Sequence, residues 1–357
     1  MSSIILYCLA FGALLGGIDH ILGNRLGFGQ RFEEAFRLLG PIALSMAGIL
    51  CLAPLLSRLL GQLIVPLFST VKLDPGMFGS ILAIDMGGYQ MSMELAQDPQ
   101  IGRFAGIVVS AIFGCTVVFT IPVGMGAMDE ADRPFFTKGI LLGLICMPAG
   151  ILIGGLLCGL SLASVLWNCL PVYLLSCLLL AGLIKIPDRM TRIFQLFAKG
   201  IRILAIFGLT AGAIVYMTGW QISAYLLPLE EAMEVVCSIA IMMLGSMPLA
   251  ELLQRMLKGP FAWVQKHTGM NSVSTTGILI GIVSVVPAPA MFPRMDDRGK
   301  VVNGAFLVCS ASAFAAHLGF TLSAEPDLAA PLLAAKLSGG LLGILLALIA
   351  TKPNSIP

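Results

Sequence analysis

Charge is what this sequence has least of. Of 357 residues, 21 are Lys or Arg and 19 are Asp or Glu, so 11% are charged, against about 25% in an ordinary soluble domain. The two signs nearly cancel, leaving a net charge of +2, which excludes the basic patch of a nucleic-acid binder. Histidine is scarce, with three residues. The nine cysteines (Cys8, Cys51, Cys115, Cys146, Cys158, Cys169, Cys177, Cys237 and Cys309) form no CxxC pair, and nearly all lie in apolar runs. They read as small apolar residues, not as a zinc site or a disulfide framework.

What is abundant is apolar surface. Hydrophobic residues make up 58% of the chain, and the mean hydropathy is +0.96. So few charged side chains do not cover a soluble core of this size, which excludes a cytosolic enzyme and a disordered chain. Most of the chain has lipid as its solvent. The first apolar run starts at Ser3 without a basic flank, which predicts a retained span and not a cleaved signal peptide.

A spanning helix needs about 20 apolar residues. The sequence predicts nine, near 3–22, 38–57, 105–127, 139–161, 164–184, 202–220, 232–250, 302–322 and 331–350. Two further apolar stretches are interrupted. Residues 76–96 carry Asp85, Gly87, Gly88 and Glu94, and residues 273–293 carry Pro287, Pro289 and Pro293. Both read as re-entrant or discontinuous elements.

The positive-inside rule separates two topologies. If both interrupted stretches return to the side they came from, 17 basic residues fall on the side of the basic 185–202 segment, and only Arg58, Lys72 and Arg103 fall on the other. If both cross, the split becomes 12 against 8. The first arrangement is preferred. It predicts an all-α polytopic fold with the N-terminus outside and the C-terminus cytoplasmic, and with Trp167 and Trp220 at outer interfaces.

The interrupted stretches occupy matching places in two halves. A shift of 198 residues pairs Gly79 with Gly277, Met93 with Met291, Asp98 with Asp296, Gly106 with Gly304 and Lys138 with Lys336. The sequence therefore divides into a first transmembrane repeat (1–163), a connecting span (164–184) and a second, inverted repeat (185–357). Inverted repeats with broken helices near the midplane mark secondary transporters, and the breaks point to the substrate site.

The candidate binding residues follow from that placement. Asp85 sits at membrane depth, where a carboxylate is costly unless paired or facing water. Gly87 and Gly88 can expose backbone carbonyls, and Tyr89 offers a π face to an ammonium. Glu94 lies past the kink, in the same cavity or at the surface. The second stretch supplies Ser274, Thr275 and Ser284, with acceptor carbonyls freed by its prolines. In the 302–322 span, Asn303 and His317 are polar groups inside an apolar helix. Each has a plainer role as a cap or a backbone hydrogen-bonding group. No metal site, cofactor or catalytic set is legible.

Three segments carry a family resemblance: QRFEEAFRLLGPIALSMAGILCLAP, LAIDMGGYQMSMELA, and MDDRGKVVNGAFLV followed by HLGFT. They resemble the bacterial ethanolamine permeases encoded with ethanolamine-utilisation enzymes, from about Gln30 to the last span. The resemblance implies an inner-membrane transporter of ethanolamine. It supplies no binding residues, and where relatives carry an acidic residue before the His of HLGF this chain has Ala316. Asp85 and Tyr89 would take the ammonium, and a Ser, Thr or His317 the hydroxyl. The alternatives are a transporter or facilitator of another small amine or nucleoside-like solute and, remotely, an intramembrane enzyme. The expected partners are the substrate and the bilayer, with a homo-oligomer left open.

Overall fold

The computed structural model describes residues 2–82, 85–285 and 287–352; the side chains of Ser2, Ser3, Asp85, Ala127, Lys258 and Ala262 lie outside that description. Among the described residues every element is helical. Among these residues seven helices are long and apolar enough to cross a membrane, and the pair Leu162–Asn168 and Leu170–Lys185, bent by 51°, makes eight if it counts as one span. The chain is a multi-pass membrane protein.

One of the nine expected spans is corrected. Residues 302–322 do not form a continuous helix. The structure has Asp297–Ser310, a non-helical stretch over 311–315, then Ala316–Ala324. No proline or glycine marks this break; its cause is tertiary. The N–H groups of Ser312 and Phe314 donate to the carbonyls of Gly281 and Ile282, at 3.1 and 3.0 Å, in the second interrupted stretch. Those bonds replace the helical partners lost at the break, and Ser312 takes a φ of +55° to make the turn.

The span Pro99–Gly126 is irregular in a different way. Residues Ala105–Gly114 and Thr116–Thr120 are wound as a π-helix. That widening relocates backbone carbonyls and is a frequent mark of functional segments.

Helices approach closely where both present glycine, as membrane packing favours. A Cβ added at Gly48 would lie 1.7 Å from the Ala205 carbonyl oxygen, and one at Gly208 2.1 Å from that of Gly48. These contacts press Leu39–Thr70 against Pro187–Thr218. Ser2–Ile21 packs in turn on Leu229–Thr268, and Arg133–Leu157 on both Ala329–Ala350 and Asp297–Ser310. The bundle thus interleaves helices from the two ends of the chain.

Candidate functional site

The candidate residues fall on two interrupted hairpins and two irregular spans. The first hairpin runs as Met77–Ile81, a short turn over Asp85–Gly87, and Gly88–Leu95. Its two ends meet at one carboxylate. Asp74 is buried and accepts from the N–H groups of Gly76 (2.7 Å), Gln97 (3.2 Å) and Asp98 (2.8 Å). The chain therefore leaves where it came in. Asp98 then caps the next span, accepting from Gln100 N–H at 2.9 Å, with Pro99 at the first helical position.

The second hairpin, Ser272–Gly281 followed by Ala288–Met291, is closed by the same chemistry. Asp296 accepts from Asn271 N–H at 2.8 Å and from the Ser274 hydroxyl at 2.6 Å, and it caps Asp297–Ser310 through Gly299 N–H at 3.0 Å. Asn271 completes the closure by donating to the Arg294 carbonyl at 3.0 Å. Asp98 and Asp296, paired by the 198-residue shift, are both N-caps of the span that follows a hairpin.

The far ends of the hairpins abut the irregular parts of the spans. The tip of the second lies along the 311–315 break through the two backbone bonds described above. The first presses Gly88 against the 105–114 π-helix, where an added Cβ would meet the Gly79 carbonyl at 2.7 Å and the Ser110 hydroxyl at 2.8 Å. Gly88 is therefore a close-approach position. The Ser110 hydroxyl itself is buried without a hydrogen-bond partner.

The candidate residues divide between these regions. The backbone of Asp85 lies on the turn between the half-helices, and its side chain falls outside the described residues. Gly87 and Gly88 open Gly88–Leu95. Tyr89 packs edge-on against Phe320, with ring centroids 5.6 Å apart, and donates its hydroxyl to Glu325 at 2.7 Å. Glu94 is exposed and accepts from Gln90 at 2.9 Å. Ser274, Thr275 and Asn303 sit together at the base of the second hairpin. Asn303 is buried and donates to the Ser274 and Gly299 carbonyls, both at 2.8 Å, while Thr275 accepts from Gln265 at 2.7 Å. Ser284 lies half-buried in the break of that hairpin. His317 is buried, with Nδ1 3.3 Å from the Ser312 carbonyl. Tyr89, Ser284 and His317 thus belong to the tips and breaks, and Ser274, Thr275 and Asn303 to a hairpin base.

Several polar groups here have no counterpart among the sequence candidates. Glu325 bridges Tyr89 and Arg103, whose guanidinium lies 2.7 Å away. Lys300 pairs with Asp132 at 2.8 Å, and both are buried. Lys336 is fully buried in Ala329–Ala350 and donates to the Ala111 carbonyl, in the π-helix, at 2.6 Å. Thr116 donates to the Val308 carbonyl at 2.7 Å, joining the two irregular spans. Only Lys336 carried a sequence signal, as a lone ammonium inside an apolar run. Arg103, Glu325, Asp132 and Lys300 flank predicted spans, and their pairing is visible only in three dimensions.

The chain is similar to known proteins over nearly its whole length. A protein of Listeria monocytogenes named "Probable ethanolamine permease EutH" is 37% identical over 345 residues, covering 96% of this chain and 92% of that protein. One of the same name from Escherichia coli is 33% identical over 383 residues, covering 96% and 94%. The Bacillus subtilis protein YxeR, named as uncharacterized, is 38% identical over 337 residues, covering 94% and 91%. No solved structure matches the chain. Residues 1–350 match the family described as the ethanolamine utilisation protein EutH, and the chain belongs to that family.

Proposed function

We propose that this protein carries ethanolamine, in its ammonium form, into the cell across the bacterial inner membrane. The observation that carries the reading is membership of the EutH family over residues 1–350, with relatives that are named probable ethanolamine permeases. That membership favours a transporter over an enzyme.

The geometry supports the same reading. Two hairpins, each closed at its base by an aspartate, bring their tips against irregular stretches of two spans. Substrate sites of secondary transporters lie at such interruptions. The internal repeat is supported by the packing, because helices related by the shift exchange partners. Ser2–Ile21 packs on Leu229–Thr268, and Pro187–Thr218 on Leu39–Thr70. In the same register the 311–315 break falls on residues 113–117, inside the π-helical part of Pro99–Gly126. The basic-residue split favours an outer N-terminus and a cytoplasmic C-terminus.

In this reading the cation is held at the first break by Asp85 and Tyr89, with the Gly87–Gly88 backbone close by. The hydroxyl is met by Ser284 and His317 at the second. Ser274, Thr275 and Asn303 hold the second hairpin, and Glu94 serves the surface.

The test is uptake of labelled ethanolamine at low external concentration by cells expressing Asp85→Asn. Loss of saturable uptake with normal membrane insertion supports the site; unchanged uptake removes Asp85 from it. Competition by unlabelled amines, set against nucleosides, fixes the substrate class. Collapse of the proton gradient separates coupled transport from facilitation.

A further inference from the structure

The two irregular spans are tied at both ends by ion pairs of the same design. Arg103 is the fifth residue of Pro99–Gly126 and pairs with Glu325, which directly follows Ala316–Ala324, at the end of the other irregular span. Lys300 lies in the first turn of Asp297–Ser310 and pairs with Asp132, which lies just past the end of Pro99–Gly126. Each span therefore begins with a cation held by an acid at the end of its neighbour. Between the two pairs the spans are joined by the Thr116–Val308 hydrogen bond. The spans are antiparallel, so the pairs stand at opposite ends of them. Under the 198-residue shift Arg103 falls one position from Lys300.

Each pair also sits beside a hairpin. Glu325 accepts from Tyr89 of the first, and Lys300 is within one turn of Asn303, which holds the second. Lys300 has further neighbours in Asp297, at 3.6 Å and largely exposed, and the Phe135 ring, at 5.2 Å. Arg103 grips Glu325 through one terminal nitrogen, while its Nε is buried with no hydrogen-bond partner.

The geometry points to Glu325 and Asp132 as two mouth carboxylates, one at each end of the substrate path, each closed by its basic partner and opened when a cationic substrate takes that partner's place. This rests on the reading that the chain carries a small organic cation. Separating either pair leaves charge uncompensated, at a cost greater for Lys300–Asp132, which is buried, than for the half-buried Arg103–Glu325. An alkylammonium removes the acid's share of that cost, because its N–H groups replace those of Arg103 or Lys300 on the carboxylate, while the displaced Arg103 turns to water and the displaced Lys300 to Asp297. A neutral solute offers nothing in exchange. The exchange thus selects ethanolammonium over neutral ethanolamine before the central site is reached.

The test is ethanolamine transport in membrane vesicles of both orientations, for Glu325→Gln and Asp132→Asn. The proposal expects Glu325→Gln to raise KM at least tenfold for uptake from the Arg103 face and to leave KM from the opposite face within twofold. Asp132→Asn is expected to do the reverse. A purely structural role lowers the amount of protein, and so Vmax, from both faces alike. Equal effects on the two faces, or no change in KM, overturn the proposal. If either variant does not accumulate, Glu325→Asp and Asp132→Glu keep the charge and misplace it by one methylene, and the same one-sided rise in KM is required of them.

Wild-type vesicles that take up no ethanolamine contradict the substrate reading alone. The mouths are then read by an impermeant maleimide on Ser110→Cys, expected to react severalfold faster from the Arg103 face in the Glu325→Gln background. An unchanged rate overturns the mouth assignment.

Discussion

The ammonium of Lys336 lies 2.6 Å from the carbonyl oxygen of Ala111, deep among the spans. A carbonyl carries two lone pairs, so it accepts from a side chain as well as from its own helix. Ala111 lies in the π-helical winding of residues 105–114. A lysine inside an apolar helix is thereby matched to an irregular helix beside it. The Ser310 hydroxyl, which donates to the Lys336 carbonyl at 2.7 Å, holds the same region together.

Lys336→Met keeps the length of the side chain and removes its donors. The Ala111 carbonyl then loses this partner in the interior. The expected cost is about 1–3 kcal/mol, seen as a lower melting temperature of the protein purified in detergent. Equal melting temperatures would mean that the contact adds no stability.

The aspartate at each hairpin base makes a local prediction. Asp74→Asn replaces an acceptor oxygen by an amide donor opposite the N–H groups of Gly76, Gln97 and Asp98. Losing charge-assisted bonds costs about 1.5–3 kcal/mol each at most. Hydrogen exchange is expected to accelerate at 76–98 while 271–296, closed by Asp296, stays protected. Asp296→Asn should give the reverse pattern.

Two glycines in one helix separate packing from propensity. At Gly48 an added Cβ meets the Ala205 carbonyl oxygen at 1.7 Å, whereas at Gly40 it meets nothing within 4 Å. Gly48→Val must force Leu39–Thr70 away from Pro187–Thr218. It is expected to cost about 3 kcal/mol or more and to reduce the amount of folded protein in the membrane. Gly40→Ala is expected to be neutral or to stabilise by up to about 1 kcal/mol. Comparable losses at both would contradict the close approach.

The topology is tested by two exposed positions. Arg25→Cys lies between the first two helices and Gln221→Cys after Pro187–Thr218. In intact cells an impermeant thiol reagent is expected to label residue 221 and to reach residue 25 only after the membrane is opened. The opposite pattern inverts the proposed orientation.

What the sequence made legible follows from where its signals are local. Apolar runs of sufficient length marked the spans, and Asp85 and the prolines after Val285 fell in the two interrupted stretches; Gly87 and Gly88 were read as unwinding the helix, but both keep helical backbone, and Gly88 is a close-approach position. The 198-residue register also picked out Asp98 and Asp296, which share a capping role. The break at 311–315 was not legible. Its residues, ASAFA, are compatible with a helix, and the Gly281 and Ile282 carbonyls that accept from Ser312 and Phe314 are distant in sequence. For the same reason the pairing of Arg103 with Glu325 and of Lys300 with Asp132 was hidden, since each joins residues far apart in sequence. Tyr89 was named from the sequence as a candidate, but its link to Glu325 was not legible there.

The central claim is that this EutH-family chain moves ethanolamine, and transport of labelled ethanolamine tests it most directly. Purified protein in liposomes, with substrate supplied at low concentration and at a pH where it is protonated, is expected to give saturable uptake that unlabelled ethanolamine abolishes and nucleosides leave unchanged. Uptake no faster than in protein-free liposomes, with the protein shown to be folded and inserted, would contradict it.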